Sequence, residues 1–397
     1  MRCVFCLMRF HARTETGIAI GKNRQDSIMN IKQDTNDNIH HLSQMGWTSH
    51  FQTQLEHFSG DGFVPARVVE VKKNSFLTSN GKSEWLATLA GKLKHDFSSM
   101  YPVTGDWVLV TDAVISRVLV RKNALSRGAS GTHNKQDAQP QRKQVIAANL
   151  DTVFIVSGLD QDFNLRRIER YLTLVYNCGL NPVIILTKAD LHQNPEHFVS
   201  KTEAVAFGVP IHLVSASDDT GLASLEPYLS LSMTTAMVGS SGAGKSTLVN
   251  RLYGKPVQLT GSISTHVGKG RHITTSRNLI MMPQGGMVID NPGIREIAFW
   301  EVDKGIEAAF PEIEKLGLGC GFADCSHTHE PDCRVLEAVD EGEILKNRLE
   351  NYRKMKRELE YLSHRRHKSA DRVEKERWKE VSLKIKAMKK RNPAIKS

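Results

Sequence analysis

Residues 239–247 read Gly-Ser-Ser-Gly-Ala-Gly-Lys-Ser-Thr, a complete G-x-x-x-x-G-K-S phosphate loop followed by threonine. The motif needs a strand before it and a helix after it, and the flanks offer both. Ala236-Met237-Val238 can close a buried strand, and Thr247-Leu248-Val249 can open a helix. Gly239, Gly242 and Gly244 let the backbone curl, so that N–H groups around Ser240, Ser241 and Ala243 converge on phosphate oxygens. The helix N-terminus adds a positive dipole end at the same place. Lys245 is expected to reach the β- and γ-phosphates, and the Ser246 hydroxyl to ligate Mg²⁺, with Thr247 beside it. A nucleoside triphosphate is the implied ligand; a Gly/Ser-rich surface loop would not need these flanks.

Three further segments bear on the base and the reaction. Pro182–Leu186 reads as a buried strand that runs into Thr187-Lys188-Ala189-Asp190. A carboxylate at Asp190 can accept both the ring N–H and the exocyclic amine of guanine, a donor pair that adenine lacks. Such a site is expected to reject ATP by leaving a buried carboxylate unpaired. The alkyl stem of Lys188 would lie over the base plane. Ile211–Val214 leads into Ser215-Ala216-Ser217, where a backbone N–H can meet the guanine carbonyl. Met287-Val288-Ile289 ends at Asp290-Asn291-Pro292-Gly293. There Asp290 would hold Mg²⁺ through water and the Gly293 N–H would sense the γ-phosphate. Each tripeptide alone is a common loop sequence; together, at the ends of apolar runs, they support one another.

Their order is rotated. In an ordinary GTPase the phosphate loop precedes the base-specifying segments, whereas here it comes after them. A compact α/β domain tolerates such circular permutation when its original termini meet at the surface. One consequence is that the segment after Asp290 feeds directly into the C-terminal part of the chain, so nucleotide state can move a downstream domain.

That C-terminal part contains Cys320-x4-Cys325-x-His327-x5-Cys333. Three thiolates and an imidazole at this spacing suit a tetrahedral structural zinc site, with His329 as a competing nitrogen ligand. No secretory signal is legible and reducing compartments rarely keep disulfides, so zinc is expected rather than a disulfide with a spare thiol. Cys3 and Cys6 form a lone C-x-x-C without partner ligands and are read as incidental.

With these residues in place, the chain resembles the ribosome small-subunit-dependent GTPase A family, bacterial circularly permuted GTPases, over roughly residues 60–345. Gly105-Asp106-Trp107 and the run Gln144–Asp151 carry the resemblance alongside the nucleotide motifs and the cysteine cluster. It implies an OB-type β-barrel, then a circularly permuted P-loop GTPase α/β domain, then a mainly helical zinc-binding C-terminal domain. It further implies one structural zinc per chain and Mg²⁺ with GTP. The implied activity is hydrolysis of GTP to GDP, stimulated by the 30S ribosomal subunit, during late maturation of that subunit. The implied partners are the 30S subunit and 16S rRNA, bound by a cytoplasmic monomer. The resemblance also favours His327 over His329 as the zinc ligand. The family's Gly-Arg-His-Thr-Thr switch stands here as Gly270-Arg271-His272-Ile273-Thr274-Thr275. Ile273 replaces a threonine, leaving Thr274 or Thr275 for the Mg²⁺ role. Asn291 stands where the family has threonine, which is expected to tune activity without abolishing it. Ile294 comes after Gly293 where many GTPases carry a water-orienting glutamine, and the resemblance offers His272 as the replacement. Contact with RNA, or packing within the switch, is the alternative role for His272.

At 397 residues the chain is long enough for two or three domains. Residues 1–58 are polar and are expected to be a disordered extension. Residues 59–127 alternate short apolar runs with turns, including the hairpin signal Asn80-Gly81; the pattern alone suits a generic small β-barrel as well as a five-stranded OB-type one, and the resemblance implies the OB-type RNA-binding barrel. A linker is expected over 128–142, the GTPase domain over 143–300, the zinc domain over 301–345 and a basic helical tail over 346–397. Strand–helix alternation from Asp151 onward indicates a largely parallel sheet. Residues 341–397 hold 19 Lys/Arg against 9 Asp/Glu, so the chain's entire formal surplus of +10 sits there. A solvated helix face is the bland account; a surplus this concentrated favours phosphate-backbone contact. No apolar run approaches membrane-spanning length, and no membrane contact is expected. Two other classes stay open: an RNA-binding assembly factor that uses GTP only structurally, and an ATP-using kinase or transporter ATPase.

Overall fold

A computed structural model of the chain describes residues 39–58, 62–95, 101–128, 143–257, 278–290 and 304–365. The first of these segments was expected to be disordered and is not. Residues 39–44 form helix α1, and Ser49–Glu56 form α2. Leu42, Met45, Trp47 and Phe51 are buried, and the Trp47 ring meets Trp107 edge-on at 4.7 Å. Ile39, Leu42, Met45, Trp47, Phe51, Leu55 and Phe58 recur at near-helical spacing, and the four buried ones land on one site, so the segment orders by docking rather than by its own core.

Five strands come next: β1 (Val64–Val71), β2 (Phe76–Ser79), β3 (Glu84–Leu89), β4 (Trp107–Thr111) and β5 (Val114–Val118), with the short helix α3 (Gly91–His95) before β4. Their pairing runs β1-β2-β3-β5-β4 and closes through β1–β4, with β3 and β5 parallel. This is an OB-type barrel filled by alternate residues such as Ala66, Val68, Phe76, Val108, Val110 and Ile115. Asn80 caps the β2–β3 turn by accepting the Lys82 and Ser83 N–H groups, and Gly81 takes φ +87°.

A ribbon of β6 (Ala124–Gly128) and β7 (Lys143–Ala148) leads out of the barrel. Gly128, expected in a linker, is the last residue of β6, and residues 129–142 lie outside the described residues. The second sheet holds β8 (Thr152–Gly158), β9 (Pro182–Thr187), β10 (Ile211–Leu213), β11 (Thr234–Val238), β12 (Asn278–Met281) and β13 (Met287–Asp290). The order is β10-β9-β8-β11-β13-β12, parallel except for β12, whose far side pairs with β1 of the barrel. Helix α4 (Leu165–Asn177) covers one face through Ile168, Leu172 and Val175, and α5 (Glu196–Glu203) comes after β9. The other face lies under α6 (Lys245–Tyr253) through Leu248 and Val249. Strands buried on both faces explain why their sequences read as unbroken apolar runs.

Barrel and sheet are joined by a buried polar knot. The Arg67 guanidinium, 1% exposed, donates to the carbonyls of Gly105 at 3.2 Å and Asn149 at 3.1 Å, and to Met45 O. Asn149, itself left-handed at φ +59°, donates from Nδ2 to Gly105 O at 3.0 Å. At Gly105, φ +93°, an added Cβ would lie 2.3 Å from Ala148 O, so no other residue fits. Burial lowers the Arg67 pKa to about 10 against the opposing charges of Asp151 and Asp106, which leaves it cationic at neutral pH.

The C-terminal helices are α7 (Lys304–Ala309), α8 (Pro311–Gly317), α9 (Arg334–Asp340) and α10 (Lys346–Arg365). The tail expected from residue 346 thus begins as a docked helix, burying Leu349, Tyr352, Met355 and Leu359 at helical spacing. Its anchor is Arg348, which bridges Glu169 of α4 at 2.7 Å and Glu312 of α8, and donates to Ala309 O at 2.9 Å. Asn351 satisfies the other Glu169 oxygen at 2.7 Å. Residues 366–397, with most of the positive surplus, lie outside the described residues. Among the described residues, no helix is long and apolar enough to cross a membrane.

Arg348→Met would leave the Glu169 carboxylate, 1% exposed, without its counter-charge. The expected loss is about 3–5 kcal/mol, read as a lower urea midpoint by circular dichroism, with partial recovery in Glu169→Gln/Arg348→Met.

Candidate functional site

Parallel pairing sets the carboxyl ends of β9, β8, β11 and β13 side by side, with Gly158 opposite Thr187 and Met237 opposite Asp290. The phosphate loop leaves the end of β11. At Gly239, φ +153°, an added Cβ would lie 2.3 Å from Val156 O, and Gly244, φ +88°, gives way to α6 beginning at Lys245. Lys245 folds back over its own loop, donating to Gly239 O at 2.8 Å and Ser240 O at 2.6 Å. Burial lowers its pKa, and the nearby charges of Asp290 and Asp162 oppose that shift. Ser241 and Gly242 face solvent, Ala243 is buried, Ser246 is half-buried and Thr247 is exposed.

The base segment, at the end of β9, grips this loop across the end of β8. Thr187 Oγ1 donates to Ala243 O at 2.6 Å. Lys188, held at φ +61°, donates from Nζ to Gly242 O at 2.8 Å and to Asp160 at 2.5 Å. The Ala189 N–H reaches Val214 O at 3.2 Å, tying in the third loop. There the Ser215 hydroxyl donates to Asp190 Oδ1 at 2.7 Å and meets the Ser217 hydroxyl, with Ala216 half-buried. Asp190 was expected to be a buried carboxylate, and the structure corrects this: it is exposed. Discrimination by an unpaired carboxylate therefore depends on the base covering it. Asp290 is 2% exposed at the end of β13.

Thr187–Asp190, Ser215, Ala216, Gly239–Thr247 and Asp290 thus gather at one edge of the sheet. His272, Thr274, Thr275, Asn291 and Gly293 lie outside the described residues. Two residues that sequence reading passed over join the group: Asp160 beside Lys188, and Asp162, which accepts from the Ser240 hydroxyl. Their only local signal is an Asp-x-Asp pair ahead of the helix cap Asn164. An anion is the ligand this arrangement suits, with the loop's N–H groups and Lys245 to meet it.

The second cluster is Cys320, Cys325, His327 and Cys333, whose ligand atoms all lie within 4.8 Å of one another. His327 Nδ1 is 3.6 Å from Cys320 Sγ and 3.4 Å from Cys333 Sγ, and the two sulfurs are 3.8 Å apart. Zinc bonds of about 2.3 Å to sulfur and about 2.0 Å to nitrogen give tetrahedral edges of roughly 3.5–3.8 Å, so this donor set can hold one zinc ion. His327 is buried at φ +53°, whereas His329 faces solvent. Tyr352 of α10 lies 6.1 Å from the His327 ring and donates to Glu314 at 2.8 Å, linking the cluster to the docked helix.

The chain resembles several known proteins. The sequence profile described as RsgA GTPase matches residues 118–300. A profile of the ABC transporter matches residues 222–390, a stretch that includes the phosphate loop but omits the Thr187–Asp190 base segment. A protein of Opitutus terrae named small ribosomal subunit biogenesis GTPase RsgA is 40% identical over 86% of this chain and 95% of its own length. One of the same name from Methanosarcina acetivorans is 44% identical over 73% of this chain and 78% of its own. The crystal structure of YjeQ from Thermotoga maritima superposes with a TM-score of 0.54 at 29% identity, covering 75% of this chain and 98% of that one. YloQ, described as a circularly permuted GTPase, shares the fold at a TM-score of 0.51 and 22% identity, over 77% of this chain and 97% of that one.

Cys333→Ser is expected to abolish stoichiometric zinc after dialysis, measured by plasma mass spectrometry, whereas His329→Ala retains it. Strong chelation of the wild type should also unfold part of the C-terminal region, seen as lost helical circular dichroism.

Proposed function

The chain belongs to the RsgA GTPase family, and from that premise we propose that this GTP hydrolase binds the small ribosomal subunit and assists its late maturation, with turnover stimulated by the subunit. The observation that carries the reading is the meeting of Thr187–Asp190 with the phosphate loop, through Thr187 to Ala243 and Lys188 to Gly242. One nucleotide can span both if its phosphates bind at the end of β11 and its base at the end of β9, with the end of β8 between them.

In this reading Asp190 accepts the two guanine donors, Ser215 orients that carboxylate, and an N–H near Ala216 meets the base carbonyl. On binding, Lys245 exchanges the Gly239 and Ser240 carbonyls for phosphate oxygens. Ser246, in the first turn of α6, and Asp290, buried at the neighbouring strand end, are the residues fitted to hold Mg²⁺, which would supply charge neutralisation at the phosphates. His272 is assigned to positioning the attacking water, Thr274 or Thr275 to the metal side, and the Gly293 N–H to the γ-phosphate. The zinc cluster, with Cys320, Cys325, His327 and Cys333 as ligands, serves as a structural centre. The barrel and the basic C-terminal residues are assigned to 16S rRNA, contacting it through phosphates.

Turnover of GTP should rise at least tenfold on adding purified small subunits and stay flat with large ones. A rate indifferent to small subunits would remove the partner from this account. Separately, Asp190→Asn should weaken GTP binding by about tenfold or more and narrow the preference over ATP, checked by calorimetric titration of both nucleotides.

A further inference from the structure

The turn between β8 and α4 belongs to none of the nucleotide motifs, yet it touches both halves of the site. Asp160 Oδ2 accepts from Lys188 Nζ at 2.5 Å, and Asp162 Oδ2 accepts from the Ser240 hydroxyl of the phosphate loop. Their other oxygens are also occupied. Asp160 Oδ1 accepts the Asp162 N–H at 2.9 Å, and Asp162 Oδ1 accepts from Arg167 in the first turn of α4. Asn164 caps that helix, taking the Arg167 N–H at 3.1 Å. Both carboxylates are therefore aimed by backbone and helix, independently of any nucleotide.

The space behind them is close. A Cβ added at Gly158 would lie 3.1 Å from Asp160 Oδ1 and 3.4 Å from the Lys188 ammonium. Ordinary surface ion pairs contribute little, because two long side chains must be ordered in water. Here the setting differs: Asp160 and Lys188 are only 30% and 25% exposed, and the Lys188 backbone is already held at φ +61°. The lysine has little freedom left to lose, so a carboxylate that fixes its ammonium sets where its stem lies.

We infer that Asp160 and Asp162 are positioning residues that preassemble the guanine-nucleotide site, Asp160 through Lys188 and Asp162 through Ser240. The inference rests on reading residues 187–190 and 239–247 as one guanine-nucleotide site. Neither carboxylate touches the nucleotide. Asp160 keeps the lysine stem at the level of the base plane while its ammonium stays on Gly242 O. Asp162 pins the first turn of the phosphate loop to α4, and Arg167 offsets its charge so that the arriving phosphates meet less repulsion.

A double-mutant cycle on the full chain, read by calorimetric titration with GDP, tests this. Asp160→Asn and Asp162→Asn, which preserve shape, should each weaken GDP binding by about five- to tenfold. The effect of Asp160→Asn should vanish in a Lys188→Met background, and that of Asp162→Asn in a Ser240→Ala background. A general structural defect would persist in both backgrounds, and that result overturns the inference, as does unchanged GDP affinity in either single variant. If Asp162→Asn fails to fold by circular dichroism, Ser240→Ala alone must reproduce the five- to tenfold loss, and its absence counts against the pin. The underlying site reading fails differently: the wild type would not bind GDP, or Lys188→Met would bind it unchanged.

Discussion

The gathering of the phosphate loop, Thr187–Asp190 and Asp290 depends on parallel hydrogen bonding between β9, β8, β11 and β13. Parallel strands present their carboxyl ends on one edge, and the loop leaving each strand is delivered to the same crevice. Sheet pairing is indifferent to the order in which the chain supplies its strands. Base segment, phosphate loop and Asp290 therefore reach their places although the phosphate loop comes second. Helix α4 on one face and α6 on the other make the arrangement rigid by burying each strand on both sides.

Permutation leaves new ends to be managed, and the structure does so with two buried polar joints. At the entrance, Arg67, Gly105 and Asn149 tie the barrel to the chain just before β8. At the exit, Arg348 and Glu169 tie the C-terminal helices to α4. Buried charges at such sites add specificity more than stability, since their desolvation offsets much of their attraction. Each is well satisfied, so the relative placement of barrel, sheet and C-terminal helices is set by directional bonds as well as by apolar contact. Helix α4 links the phosphate loop to the exit joint: its first turn faces the loop through Arg167 and Asp162, and its Glu169 holds Arg348.

Much of this was legible in the residues. The phosphate loop, the threonine–lysine–alanine–aspartate turn and the Cys320–Cys333 cluster announce themselves because their chemistry demands particular residue types at short spacing. The barrel was legible from alternating runs and the Asn80-Gly81 turn. What stayed illegible was the partner of each element. Residues 39–58 carry Ile39, Leu42, Met45, Trp47, Phe51, Leu55 and Phe58 at near-helical spacing, but only the fold supplies the Trp107 site against which Trp47 and Phe51 lodge. The basic surplus hid the fact that α10 begins as a buried helix. Asp190 is exposed, because the desolvation a base reader needs would come from the bound base and not from the protein alone.

The amino-acid order by itself determined which groups are present: a glycine-rich phosphate loop, a threonine–lysine–alanine–aspartate turn and a cysteine–histidine cluster able to hold a metal, each written within about a dozen residues. Only the tertiary structure decided how these parts are braced. Asp162 meets Ser240 across 78 positions, and Arg348 meets Glu169 across 179. No local pattern encodes such pairs, because a carboxylate on a turn or an arginine on a basic helix looks like any solvated charge until packing removes the water around it.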